Sequence, residues 1–218
     1  MFIENLFTNS SYFISTVLIV IFSVVIHELA HAFMALNQGD STAKDAGHLT
    51  LNPIKHMGVS GIVFLLLFGI AWGVTPVNPA NFKYPKLSPV FVSLAGPLSN
   101  LILGFCFVAF FVLKASFASH NVFHAVTIGQ DLTVFVDKIL YLGALINFVL
   151  FLFNLVPLPP LDGFKACEEL IPPLKAIGAN SGVSLVILLI LFNIPGFWSS
   201  IFKIAENMIS FCLKILAH

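Results

Sequence analysis

Apolar residues in this chain run in blocks and do not alternate with polar ones. The blocks fall at about 12–36, 58–74, 88–113, 138–157 and 183–197, with a last segment at 198–216. A helix needs about 20 mostly apolar residues to cross a bilayer, and 12–36, 88–113 and 138–157 supply them. Segment 58–74 is shorter, carries Gly69 and Gly73, and breaks at "TPVNP". In the last segment Lys203, Asn207, Ser210 and Lys214 recur at helical spacing opposite Ile, Phe and Leu. That pattern predicts a helix lying in the membrane interface. The connector 37–57 is polar and turn-rich, with a strand-like patch near 48–52, "HLTLN"; a second polar connector covers 157–182. The pattern as a whole predicts an all-α integral membrane protein forming one domain, 1–218. It has a three-helix core, a short apolar segment at 58–74, a small strand-like patch and C-terminal helices.

Composition agrees with this. Hydrophobic residues make up 58% of the 218, charged residues only 9%, and mean hydropathy is +1.00; soluble domains carry about 25% charge. A net charge of zero argues against a nucleic-acid partner. Cys106, Cys167 and Cys212 are widely spaced, without metal-type spacing, and predict buried thiols with no disulfide framework. No basic leader precedes the first apolar block, so a cleaved signal peptide is not expected.

Within that first block sits "VVIHELAHAF", residues 24–33. A charge at the centre of a spanning helix costs about 2.5–3.5 kcal/mol on insertion scales, so His27, Glu28 and His31 need a reason. On a helix, positions i and i+4 share a face, and two imidazoles so placed can hold one metal ion. Glu28 then lies close enough to act as a base on a water held there, the arrangement of a zinc hydrolase. The alternative is a polar trio bonded only to itself, which is costly where apolar side chains would pack freely. A third ligand is needed. Position 34 is Met, position 37 is Asn, and no glutamate occurs between Glu28 and Glu168. Asp40 and Asp45 lie in the turn-rich connector and are expected to be solvated or to cap helices. Asp162, in "FNLVPLPPLDG", is the better candidate, although an aspartate before Gly163 also suits a plain turn.

Five stretches carry a wider resemblance: "HELAH" (27–31), "LTLNPIKHMG" (49–58), "PVNPANF" (76–82), "AGPLSN" (95–100) and "FNLVPLPPLDG" (153–163). In order and spacing the chain resembles the site-2 proteases, membrane-embedded zinc metalloproteases that cut substrate helices within the bilayer. The resemblance implies His27, His31 and Asp162 as ligands of one Zn2+ per chain, with Glu28 as general base. It implies Asn154 as the group that polarises the scissile carbonyl or holds the oxyanion. Gly96 and Asn100 match a G-x-x-x-N pattern that permits close helix packing, with Asn100 also offered to substrate. "KHMGVSG" departs from the turn usual in relatives. The family's PDZ domain has no room here, which implies the compact form.

A shared metal constrains the topology. His27 and His31 lie toward the C-terminal end of the first helix, and Asp162 follows the C-terminal end of the 138–157 helix. These ends must meet at one membrane face, so an odd number of crossings separates them. The 88–113 helix supplies one, and 58–74 is therefore expected to be re-entrant, or to cross and return through "TPVNPANF". Lysines then divide as Lys44, Lys55, Lys83, Lys86, Lys165 and Lys175 on the catalytic face against Lys114 and Lys138 opposite. The positive-inside rule makes the catalytic face cytoplasmic, in a multi-pass bacterial or archaeal cell-membrane protein. The expected function is intramembrane proteolysis, with a transmembrane-helix protein as substrate and the lipid bilayer as surroundings. The "HLTLN" patch could pair with an unwound substrate as an added strand. A zinc transporter would show repeat symmetry, and an inactive scaffold would lack a ligand or the base. Neither pattern is present.

Overall fold

The computed structural model describes residues 2–120, 130–178 and 181–216, and every regular element among them is helical. The long elements are α1 (Ser10–Asn37), α2 (Pro53–Phe68), α3 (Ser88–His120), α4 (Gln130–Asn154), α5 (Asp162–Leu170), α6 (Ser181–Asn193) and α7 (Phe197–Leu216). α1, α3 and α4 are long and apolar enough to cross a membrane. Their outer faces expose Leu18, Phe22 and Phe33 on α1, Ile102 and Phe110 on α3, and Val134 and Tyr141 on α4. Such surface is stable only against lipid, and this is a multi-pass membrane protein.

α3 is the centre of the bundle, packed on α1 at one side and on α4 at the other. Glycines set the α3–α4 distance. The Phe148 ring lies where a Cβ on Gly104 would be, and the Phe107 ring does the same at Gly143, so each aromatic ring fills a notch in the facing helix. Both helices extend beyond the apolar blocks, α3 to His120 and α4 back to Gln130. α4 stops at Asn154 because Pro157 disfavours helix in the residue before it and cannot continue the ladder itself.

The 58–74 segment does turn back on itself. Asn52 caps α2 by accepting from Ile54 N at 2.9 Å, Gly58 (φ 65°) kinks it, and Gly69 (φ 75°) ends it in the left-handed conformation. The chain then runs back along the helix without regular structure. Trp72 packs beside Gly61 and edge-on to Phe64, and Val74 N–H donates to His56 O at 2.9 Å. α2 covers α1 by seating Met57 and Leu65 against Phe13, Val17 and Val24.

The strand-like patch at 48–52 is corrected. It forms bends, no strand exists among the described residues, and its polar groups serve local turns. Thr50 Oγ1 accepts from Asn52 N, and Thr50 O accepts from the His56 ring. Alternation alone makes no strand without a neighbour to complete the ladder. α7 packs against α4 through Ala205 and Ile209.

Asp40 is neither solvated nor a simple cap. It is fully buried and accepts from Thr42 N (3.1 Å), the Thr42 hydroxyl, Asn78 N (2.7 Å) and Asn81 Nδ2 (2.9 Å). These bonds tie the returning stretch 76–82, with its short 3-10 turn at Pro79–Asn81, to the end of α1. Burial alone would raise the Asp40 carboxyl, but the Thr42, Asn81 and Asn78 donors outweigh it and hold the pKa below the ordinary value. A depressed folded-state pKa contributes stability above the unfolded value of about 3.9 and loses it as pH falls through the folded one. Asp40→Ala should therefore lower stability in detergent by about 1–3 kcal/mol at neutral pH. The gap from wild type should close on acidification below about pH 4. Unfolding titrations at two pH values measure this, and equal stabilities at neutral pH would refute the tether.

Candidate metal centre

His27 and His31 are one turn apart on the inner face of α1, and both are buried. The α4–α5 turn brings Asp162 to them as the first residue of α5. Gly163 is not a turn residue: it is helical, and a Cβ there would collide with the Leu155 carbonyl at the end of α4. The glycine is thus what lets Asp162 sit this close to the bundle, and the plain-turn reading falls. His27 Nε2 and His31 Nε2 lie 2.9 and 3.2 Å from Asp162 Oδ2, and 3.0 Å from each other. Among the described residues this is the one group of three that could hold a metal ion.

The outer atoms of the rings fix what the inner atoms can do. His31 Nδ1 is 2.7 Å from Val92 O, which can only accept, so Nδ1 carries the proton and Nε2 presents a lone pair. His27 Nδ1 is 2.6 Å from Asn100 Oδ1. The Asn100 amide is oriented by its other end, where Nδ2 donates to Asn147 Oδ1 at 3.0 Å and to Ser23 O at 3.4 Å. Asn147 in turn donates to Ser23 Oγ (2.9 Å) and Gly143 O (2.8 Å). His27 therefore also donates through Nδ1 and presents Nε2 as a lone pair. Lys165 Nζ donates to Asp162 Oδ1 at 3.0 Å, which leaves Oδ2 for the interior.

With both rings neutral, three acceptors thus face one another across about 3 Å. A cation at their centre satisfies all three. Zinc bonds of 2.0–2.2 Å place tetrahedral ligands about 3.3 Å apart, close to the spacings found. The space is kept open by α3: a Cβ on Gly96 would run into Nε2 of both histidines. Two imidazoles and one carboxylate in a closed, preoriented cradle fit a zinc ion.

Glu28 is buried beside the histidines. Thr75, on the returning stretch after α2, donates to Glu28 Oε2 at 2.7 Å. Gly73 lies against the carboxylate so closely that any Cβ there would overlap it. Asn100, the residue offered for substrate, is fully buried with its amide committed to His27, Asn147 and Ser23. Asn154 ends α4 with its Nδ2 donating to Leu150 O at 3.0 Å. Sequence reasoning did not single out Ser23, Gly73, Thr75, Asn147 or Lys165. Ser23 and Asn147 were detectable as polar residues inside spanning helices, and Lys165 as a cation three residues after Asp162. Thr75 and Gly73 act through a fold-back that no local pattern encodes.

Comparison with known proteins follows the same lines. The model described as Peptidase family M50 matches residues 15–194. "Putative zinc metalloprotease YwhC" of Bacillus subtilis is 43% identical over 183 residues, covering 82% of this chain and 80% of that protein. "Putative zinc metalloprotease Rip2" of Mycobacterium tuberculosis (H37Rv) is 32% identical over 182 residues, 79% of this chain and 64% of that one. "Zinc metalloprotease MJ0392" of Methanocaldococcus jannaschii is 28% identical over 193 residues, 85% of this chain but 45% of that one. The chain therefore spans less than two thirds of the last two. No solved structure matches it significantly. With the family match running from α1 through α6, across every residue of the His–Asp cluster, the chain belongs to peptidase family M50, the site-2 protease family its motifs resemble.

Proposed function

We propose that this chain is an intramembrane zinc endopeptidase that hydrolyses peptide bonds in or near the transmembrane helices of other membrane proteins. The observation that carries the reading is the convergence of His27 Nε2, His31 Nε2 and Asp162 Oδ2 on the space Gly96 leaves open, with Glu28 beside it. Family membership and the names of the relatives support it. The depth of the site supports cleavage within the bilayer: His27 and His31 lie ten and six residues before the end of α1, about 9–15 Å along the helix.

His27, His31 and Asp162 would hold one zinc per chain. Bound there, zinc supplies Lewis acidity, which lowers the pKa of water and polarises a carbonyl. Glu28 accepts a proton from the attacking water as its oxygen bonds to the scissile carbonyl carbon. The C–N bond then breaks, and Glu28 returns the proton to the leaving amine. Thr75 orients this carboxylate through Oε2, and Gly73 leaves room for it. Asn100 and the Val92 carbonyl hold the two rings in the tautomer that ligation needs, which makes Asn100 a positioning residue. The role of Asn154 rests on the family motif. To donate to a scissile carbonyl its amide must turn away from Leu150 O. A substrate helix must unwind locally, since its own carbonyls are committed to i→i−4 bonds.

Purified protein should hold about one zinc per chain by atomic emission, and His27→Ala or Asp162→Ala should lose most of it. Gly96→Ala, which leaves every ligand in place, should lose zinc as well. Glu28→Gln should keep the metal while cleavage of a co-expressed single-span substrate falls at least about 10²-fold. Wild-type cleavage by Glu28→Gln would sink the hydrolase reading.

We infer further that the metal end of the bundle faces the cytoplasm. With α2 returning to its start, Lys44, Lys55, Lys83, Lys86, Lys165 and Lys175 gather at that end, against Lys114 and Lys138 at the other. Single cysteines at Asp45 and Lys86, in a chain lacking Cys106, Cys167 and Cys212, should react with an impermeant thiol reagent only from the cytoplasmic side. Reaction from the outer side would reverse the orientation. Reaction of the two from opposite sides would mean that 58–74 crosses.

A further inference from the structure

α7 is the helix whose chemistry does not suit its place. Its contacts run antiparallel to α4 in register. Trp198 stacks on Phe153, Ala205 and Ile209 pack with Phe148 and Ala144, and Leu213 lines a small cavity with Leu140 and Tyr141. From Trp198 to Leu213 is fifteen residues, about 22 Å of helix, matching the roughly 20 Å from Phe153 to Leu140. α7 therefore crosses the same slab of membrane as α4. α6, bent 72° from it, does not continue its direction.

The buried face of α7 is Ile201, Ala205 and Ile209. Its outward face carries Lys203, Glu206, Asn207, Ser210 and Lys214, all exposed and, among the described residues, without a hydrogen-bond or ion-pair partner. Ala205 and Ile209 pack with Ala144, near the middle of α4, and with Val108, four residues past the middle of α3. Glu206, Asn207 and Ser210 are thus level with the bilayer centre. The lysines, nearer the ends, can snorkel toward headgroups; a mid-depth glutamate and asparagine cannot reach them. Polar groups at that depth face protein, not lipid.

We propose that this stripe is the interface between two copies of the chain, related by a two-fold axis along the membrane normal. The argument is complementarity of the stripe with itself. In a parallel pair, Lys203 of each copy lies three residues, about 4.5 Å of rise, from the level of Glu206 of the other, within reach of the lysine stem. Both pairs form at once by symmetry. Asn207 then falls opposite its own copy, where paired amides can exchange hydrogen bonds as polar residues do between membrane helices.

The test uses the full chain in proteoliposomes, labelled with donor and acceptor dyes for energy transfer. Lys203→Glu alone and Glu206→Lys alone should each weaken self-association by roughly tenfold, because each puts like charges across the axis twice. Mixing the two variants should restore it, since one copy then presents two acids and the other two bases. Asn207→Cys, in a chain lacking the native cysteines, should crosslink to itself on mild oxidation and provides a reading that does not depend on the charge variants folding. A wild-type chain that stays monomeric, single variants that associate as wild type, or a mixture no better than its components overturns the proposal. Absence of the Asn207→Cys crosslink in associating wild-type-stripe protein would place the interface elsewhere.

Discussion

Two imidazole nitrogens and a carboxylate oxygen, all acceptors once the rings are neutral, meet within about 3 Å of one another in the interior of a membrane bundle. In water that arrangement would disperse or take up protons; in a low-dielectric interior an unpaired lone pair is expensive. Much of the local structure holds these three atoms together. The Val92 carbonyl and the Asn100–Asn147–Ser23 chain turn the rings inward. Lys165 takes the other oxygen of Asp162. Gly163 lets Asp162 reach the bundle, and Gly96 keeps α3 from filling the space in front of the rings. A cation is the counterpart that these three groups fit, and the cost of preorganising them is recovered when it binds.

The same constraint governs the fold. α1 and α4 must deliver their C-terminal ends to one side, so one helix lies between them and the apolar stretch after α1 cannot cross. α2 meets that requirement by local means: a kink at Gly58, a left-handed stop at Gly69, and a return that closes with Val74 on His56. The return has a second use, because it lays Gly73 and Thr75 on Glu28. A segment that looks like a failed span in the sequence thus forms the wall behind Glu28. Asp40 anchors the far end of that wall.

Much of this was legible in the residues. Block lengths identified the three crossing helices, since lipid imposes a length that composition must fill, and the polar trio stood out because the surrounding composition makes it costly. The helix ends were less legible: the true limits depend on caps and on Pro157, which the apolar blocks do not mark. "HLTLN" had the alternation of a strand but no neighbour to pair with, a fact only the tertiary structure supplies. Asp162 was ambiguous by itself, and the resemblance resolved what periodicity could not. Asn100 reads as a substrate group or a packing group from its motif, while its contacts commit it to His27. The stripe on α7 was visible as a pattern, but the helix it packs against was not, because an amphipathic pattern names no neighbour.

The central claim is that His27, His31 and Asp162 bind one zinc through two nitrogens and one oxygen, and X-ray absorption at the zinc edge tests it most directly. Protein loaded with one equivalent of zinc should show only nitrogen and oxygen neighbours at about 2.0–2.2 Å, with the outer-shell scattering of two imidazoles. A sulfur neighbour at about 2.3 Å, or a spectrum unchanged when His27 and His31 are both replaced by alanine, would contradict the account.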